Sequence, residues 1–322
     1  MQTFDGFEAR DYEAYAPEKW LSNVYNLDRM RVKEKLAALG QALSPLQPSP
    51  DGAPLTCEVS IEHPAVWNNN QVSEQSLYFT RSEQERNELS TRNTRAKSMS
   101  FLVADPSPHQ EHIFLCVVVR AMGIELGLKL HSNAVVDREN MVSKLNDRWH
   151  MQAFAEIVAA LPEEIQIGLT GESQSSPSEL GVDQLRALVQ RFETAAREAK
   201  PSIVPGDAKV LCFLKTYPSD YEGCARADFA EQARADLEKL LPLYDHLAWS
   251  RQNDFVEVKE TIREEKRVKK SRGLAKNDSV KVVRGLFTGK TGVVMDTDSK
   301  GSLKVRLGTM VVRIDAKDVV PG

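Results

Sequence analysis

"HIFLCVVVRAMGIELGLKLHS", His112 to Ser132, decides how the larger part of this chain is read. Its first arm, HIFLCVVVRA, is a nearly unbroken apolar run rich in β-branched residues. Its second arm, IELGLKLH, alternates apolar and polar residues, the period-two pattern of a strand with one buried face. A short break near Met122-Gly123 joins the arms, so the stretch predicts an antiparallel hairpin.

On the N-terminal side, residues 1–44 predict helix. LDRMRVKEKLAALGQAL sets Leu27, Met30, Leu36, Leu39 and Leu43 near helical spacing. SPLQPSPDGAP carries four prolines and predicts a loop. LTCEVSIEH, from Leu55, alternates as a strand, VWNNNQVSEQSLYF reads as a polar stretch, and SEQERNELSTRNTRAK as polar surface. MSFLVADP predicts a further strand ending in a turn at Asp105-Pro106.

On the C-terminal side, Asn140 to Leu161 predicts one helix closed by Pro162, with Met141, Leu145, Trp149, Phe154 and Ile157 on its apolar side. TGESQSSPS (170–178) predicts a loop. GVDQLRALVQRFETAAREAK predicts an amphipathic helix ended by Pro201, and VLCFLKTYP a strand. Ala225 to about Arg272 reads as helical, broken near Pro242. Its last third, VKETIREEKRVKKSRGLAK, has few apolar anchors and suits a linker. The strands do not alternate regularly with helices, which predicts an α+β N-terminal body with a helical middle region rather than a parallel α/β sheet. The expected divisions are residues 1–168 (α+β), 179–272 (helical, with one strand and a basic linker helix) and 277–322 (all β).

The chain has 322 residues, 41% hydrophobic and 27% charged, an ordinary globular composition. The start, MQTFDGFEARDYEAY, shows no leader pattern, and no apolar run approaches the length of a membrane span. The four cysteines form no C-x-x-C pair, so a disulfide framework is not expected and a cytoplasmic location fits best. Net charge is -4, unevenly spread. Residues 263–322 hold 15 Lys/Arg against 7 Asp/Glu, while the remainder holds 27 against 39. A basic end on an acidic chain points to nucleic acid or another polyanion.

The tail from Asn277 reads as about five short strands in some 45 residues, with glycines at the corners, the signature of a small bent barrel. NDSVKVVRGLFTGKTGVVMD resembles the KOW motif of NusG-type transcription factors and of several large-subunit ribosomal proteins. Asp278, Val280, Val282, Gly285, Phe287, Gly289, Gly292 and Val294 stand at the motif's landmarks, and Asn277 stands where glycine is usual. The resemblance covers about 45 residues and implies a KOW-type β-barrel that binds RNA, ribosome or RNA polymerase rather than one that catalyses. The basic residues Lys281, Arg284, Lys290, Lys304, Arg306 and Arg313 are the expected phosphate contacts. Lys266, Arg267, Lys269, Lys270 and Arg272 of the linker join them, since so dense a run is stabilised by an anionic partner. Phe287 is either a base-stacking platform or filling for the barrel core.

The body offers less. KEKLAALGQAL, GIELGLKLHSNAVVD and a following helix ending in LP are similar in layout to the YktB-like group of bacterial α+β proteins, which implies fold class only. His109 and His112, three apart on a predicted strand, would point to opposite faces, so no metal is expected. No nucleophile elbow, phosphate loop or dinucleotide fingerprint is present, so no cofactor is expected. Cys116 lies in apolar sequence that suppresses thiol reactivity. Trp67 with Asn68 and Asn70 suits either contact with a ligand or base, or a loop of Asx-turns. The expected function is that of a bacterial adaptor associated with nucleic acid, ribosome or RNA polymerase, its acidic body meeting a second protein. The alternatives are an enzyme acting on nucleic acid or nucleotides, with the barrel as targeting module, and a protein–protein scaffold. The enzyme alternative requires Trp67, Asn68, Asn70, Arg81 and His131 to converge on one pocket.

Overall fold

The computed structural model describes residues 3–49, 52–62, 71–92, 110–198, 209–256, 274, 276–297 and 302–322. The chain divides into two compact units, Met1–Asn253 and Asp254–Gly322.

In chain order the first unit contains α1 (Ala9–Glu13), α2 (Asn26–Leu43), β1 (Thr56–Val59), β2 (Glu74–Thr80), α3 (Glu83–Arg92), β3 (Ile113–Arg120) and β4 (Gly123–His131). There follow α4 (Val135–Leu145), α5 (Arg148–Ala159), β5 (Gln166–Leu169), α6 (Val182–Glu198), β6 (Val210–Pro218) and α7 (Phe229–Leu247). The strands form one antiparallel sheet in the order β1-β2-β3-β4-β6-β5. The hairpin of β3 and β4 is its centre, with Ile113 opposite Leu130 and Arg120 opposite Gly123. Alternation sends Leu115, Val117 and Val119 of β3, with Ile124, Leu126, Leu128 and Leu130 of β4, to one face, where they join the main apolar core. Onto that core α2 lays Val32, Leu36, Leu39 and Leu43, and α7 lays Leu237, Leu240, Leu243 and Leu247. Tyr78, Phe114, Cys116 and Val118 form a smaller cluster on the sheet's other face.

Several expectations are corrected here. The strand Val210–Pro218 sits between β4 and β5, so no packing boundary follows residue 168 or 179, and the first unit runs to Asn253. Part of the stretch read as merely polar is β2. Its Gln75 and Ser76 are buried because Gln75 Nε2 donates to the Ser60 hydroxyl (2.9 Å), as does the Ser76 amide (2.9 Å). Residues Glu83–Arg92 of the polar surface stretch after it form α3, started by a capping box between Ser82 and Glu85. The single helix expected over 140–161 is two, because Asp147 accepts hydrogen bonds from the Trp149 and His150 amides and starts α5 anew. Trp149 is therefore 81% exposed, not on the apolar side. Leu27 and Met30 are also exposed, lying on the outer side of the first turns of α2. Helix α7 runs through Pro242, which faces solvent, so the carbonyl it leaves unbonded is open to water. The predicted MSFLVADP strand and the linker from Glu257 to Gly273 lie outside the described residues.

The second unit contains β7 (Ser279–Val282), β8 (Thr291–Thr297), β9 (Ser302–Leu307), β10 (Met310–Asp315) and β11 (Val319–Pro321). They form an antiparallel sheet in the order β10-β9-β8-β7-β11. The expected five strands are present, but the sheet is open, with β10 and β11 as unjoined edges, rather than a closed barrel. Val280, Val282, Val294, Leu303, Val305, Leu307, Ile314 and Val319 fill its inner side. Gly285 and Gly289 both adopt φ of +88° in open space, so backbone conformation requires them. Gly292 is required for another reason: a Cβ there would stand 2.5 Å from the Arg306 carbonyl oxygen. Asn277, where the motif resemblance expects glycine, takes a φ of 78°.

No helix among the described residues is long and apolar enough to cross a membrane.

Candidate nucleic-acid interface

Strand alternation assembles the basic residues of the second unit. Across β9 and β10, Val305 pairs with Val312 and Leu303 with Ile314 on the inner side. The intervening residues, Lys304 opposite Arg313 and Arg306 opposite Val311, face solvent. On β8, Val293 pairs with both Arg306 and Ser279, and Asp296 pairs with Lys304 after a bulge at Met295. On β7, exposed Lys281 lies between Thr291 and Val320. Lys281, Lys304, Arg306 and Arg313 therefore share one outer face of the sheet.

Beyond the end of β7 the chain turns through Arg284, Gly285, Leu286, Phe287, Thr288 and Gly289. The turn is fastened where the Gly289 amide donates to the Val282 carbonyl (2.8 Å) and the Val282 amide to the Lys290 carbonyl (2.8 Å). Arg284 and Lys290 are exposed at its two ends. Leu286 is 99% exposed at its tip. Phe287 is half-buried and packs against the inner cluster, so its ring contributes partly to the core.

Among the described residues, Lys281, Lys290, Lys304, Arg306 and Arg313 form no ion pair, whereas basic residues of the first unit are extensively paired. Lys304 and Arg313 directly oppose each other, an arrangement that costs stability unless an anion is shared between them. Arg313 is thus as well placed as the neighbouring basic residues. Its signal in the sequence is its place between Val312 and Ile314, which pair with Val305 and Leu303 on the inner side. Lys266, Arg267, Lys269, Lys270 and Arg272 of the linker lie outside the described residues.

Of the five residues that the enzyme alternative brings together, Arg81 and His131 are among the described residues. Arg81 is buried and donates to both carboxylate oxygens of Asp137, at 2.7 and 3.1 Å, and to His112 Nδ1 at 3.3 Å. Asp137 also accepts from the Ile113 amide (2.9 Å) and the Trp249 amide (2.8 Å). Burial first, then the Arg81 cation, push His112 down to about 4, so its ring is neutral and serves as acceptor. This constellation ties β2, β3, α4 and the segment just after α7 together, and it engages both terminal nitrogens of Arg81. His131, at the end of β4, accepts the Asn133 amide on Nδ1 (3.0 Å) and so caps the strand end. Trp67, Asn68, Asn70 and His109 lie outside the described residues. Burial pushes the Cys116 thiol up to about 12, which keeps it unreactive.

No protein-family model matches the chain, and no curated protein matches it.

Proposed function

We propose that the second unit is a nucleic-acid-binding module of KOW type. In this reading the chain is an adaptor that docks through it on RNA, either free or displayed by a ribosome or transcribing polymerase. The observation that carries the proposal is the shared outer face of Lys281, Lys304, Arg306 and Arg313, none of them in an ion pair among the described residues. Cations placed this way lose little on meeting phosphate, because they have no partner to give up, and they release counterions from it. The motif landmarks from Asp278 to Val294 and the five-stranded antiparallel order support the KOW assignment. The exposed Arg284 and Lys290 extend the same charge to the turn.

The test is binding of the whole chain to single-stranded RNA and to duplex DNA over a salt series. The expected result is a linear fall of log affinity with log salt, its slope set by the phosphates contacted. Alanine at both Lys281 and Arg306 should reduce that slope by about two. Absent or salt-independent binding removes the nucleic-acid reading.

A further inference from the structure

Leu286 is the most exposed large apolar side chain among the described residues. A single exposed leucine needs no explanation by itself, but the setting of this one does. Its turn is braced from within. The Thr288 amide and hydroxyl both donate to the Gly285 carbonyl, at 3.2 and 2.6 Å, and the Lys290 amide donates to the Phe287 carbonyl (3.1 Å). These bonds add to the two that fasten the turn to Val282. Phe287 anchors the turn on the inner cluster, while Leu286 is left to solvent. The tip is also slim. Chain neighbours apart, no heavy atom lies within 4 Å of where a Cβ would stand on Gly285 or Gly289.

Charge and composition indicate what such a tip meets. From Ser279 to Met295 the chain carries Lys281, Arg284 and Lys290 and no acidic residue. Arg284 and Lys290 are exposed on either side of Leu286 along the chain. An apolar side chain between cations suits a wedge in nucleic acid: the cations hold phosphates while the apolar group parts two stacked bases. A single strand would instead need aromatic rings on which its bases stack. Phe287 is the only aromatic residue from Asn277 to Gly322, and it is engaged with the inner cluster. A paired RNA stem presents its base edges across a wide, shallow minor groove, which a short projecting side chain can reach.

We propose that Leu286 is a wedge that enters a base step of an RNA stem, with Arg284 and Lys290 on the phosphates beside it. The inference rests on the nucleic-acid reading of this unit and deepens it. The basic face supplies affinity for the backbone, and the tip selects the place along the stem where stacking is weakest. A bulge or mismatch is such a place, because less stacking has to be broken there.

The test uses the full chain and three RNAs of similar length: a single strand, an uninterrupted stem, and the same stem with one bulged nucleotide and 2-aminopurine beside it. The expected result is binding to the bulged stem tighter than to the uninterrupted one by on the order of tenfold, with a rise in 2-aminopurine fluorescence as the base unstacks. Leu286→Ser should abolish both the preference and the fluorescence rise, while the salt slope, which reports charge alone, should follow that of the wild type. Leu286→Met, which keeps an apolar tip, should retain both effects. Lys290→Ala should lower the salt slope by about one. A wild-type chain that binds none of these RNAs overturns the nucleic-acid reading and the wedge with it. Salt-dependent binding in which Leu286→Ser behaves as the wild type, the outcome expected of a tip that docks on protein, overturns the wedge alone. So does a preference for the single strand.

Discussion

Lys304 and Arg313 stand directly opposite each other across β9 and β10, on the solvent face and in a pair not bridged by hydrogen bonds, the closer of the two cross-strand geometries. A free protein that needed only stability would gain from an acidic residue at either position. Arg313→Glu should raise the stability of the unliganded chain by about 0.2–1 kcal/mol, measured by denaturant unfolding. The same substitution should weaken RNA binding and lower its salt slope. Loss of stability together with unchanged binding would show that the pair serves the fold and not a ligand.

The buried pair of Arg81 and Asp137 predicts a different response. Removing one partner strands the other charge in the core, so Arg81→Met or Asp137→Leu alone should cost about 3–5 kcal/mol. Replacing both together should cost much less than the two losses combined. Chemical denaturation of the three variants makes this cycle. Additive losses would mean that the two side chains are not energetically coupled.

Stability should also depend on pH between 6.5 and 4. Burial and Arg81 lower His112 to about 4, and burial and Lys144 lower His246 to about 4. In the unfolded chain each takes up a proton near an ordinary histidine pKa of about 6.5. The unfolded state therefore binds more protons within this window, and stability falls as pH falls from about 6.5 towards 4. The slope should approach two protons near pH 5, and His112→Gln should remove about one of them. Melting temperatures that are flat from pH 6.5 to 5 would contradict this.

Asn277 supplies a conformational test. Its φ of 78° lies in the left-handed region, which asparagine tolerates better than most residues. Asn277→Gly should change stability by less than about 1 kcal/mol, while Asn277→Val should lower it by about 1–2 kcal/mol or more. Thermal unfolding that does not distinguish valine from glycine would remove the requirement.

The parts of the fold that were legible in the sequence are those whose signal is local. The β3–β4 hairpin, α6, β6 and the five C-terminal strands follow from apolar periodicity and glycine placement over a few residues. Strand β2 was hidden because Gln75 and Ser76 are buried among polar partners on another segment, so its composition imitates a loop. The break between α4 and α5 turned on one capping residue, Asp147, inside otherwise continuous helical periodicity. The Arg81–Asp137 pair joins positions 56 apart, which no local pattern can announce. Within the candidate interface, the residue types were readable. Their collection on one face was not, because it depends on the register across β7, β8, β9 and β10.

The hydrogen bond from the Trp249 amide to Asp137 has a consequence for where the first unit ends as an autonomous folding piece. Helix α7 finishes at Leu247, yet the donor that completes the Asp137 carboxylate lies two residues later. A chain shortened to the visible end of the helix would keep every helix and strand of the unit while leaving a buried anion one donor short. The minimal unit is thus defined by charge compensation and not by secondary structure, and it closes at Trp249 or beyond.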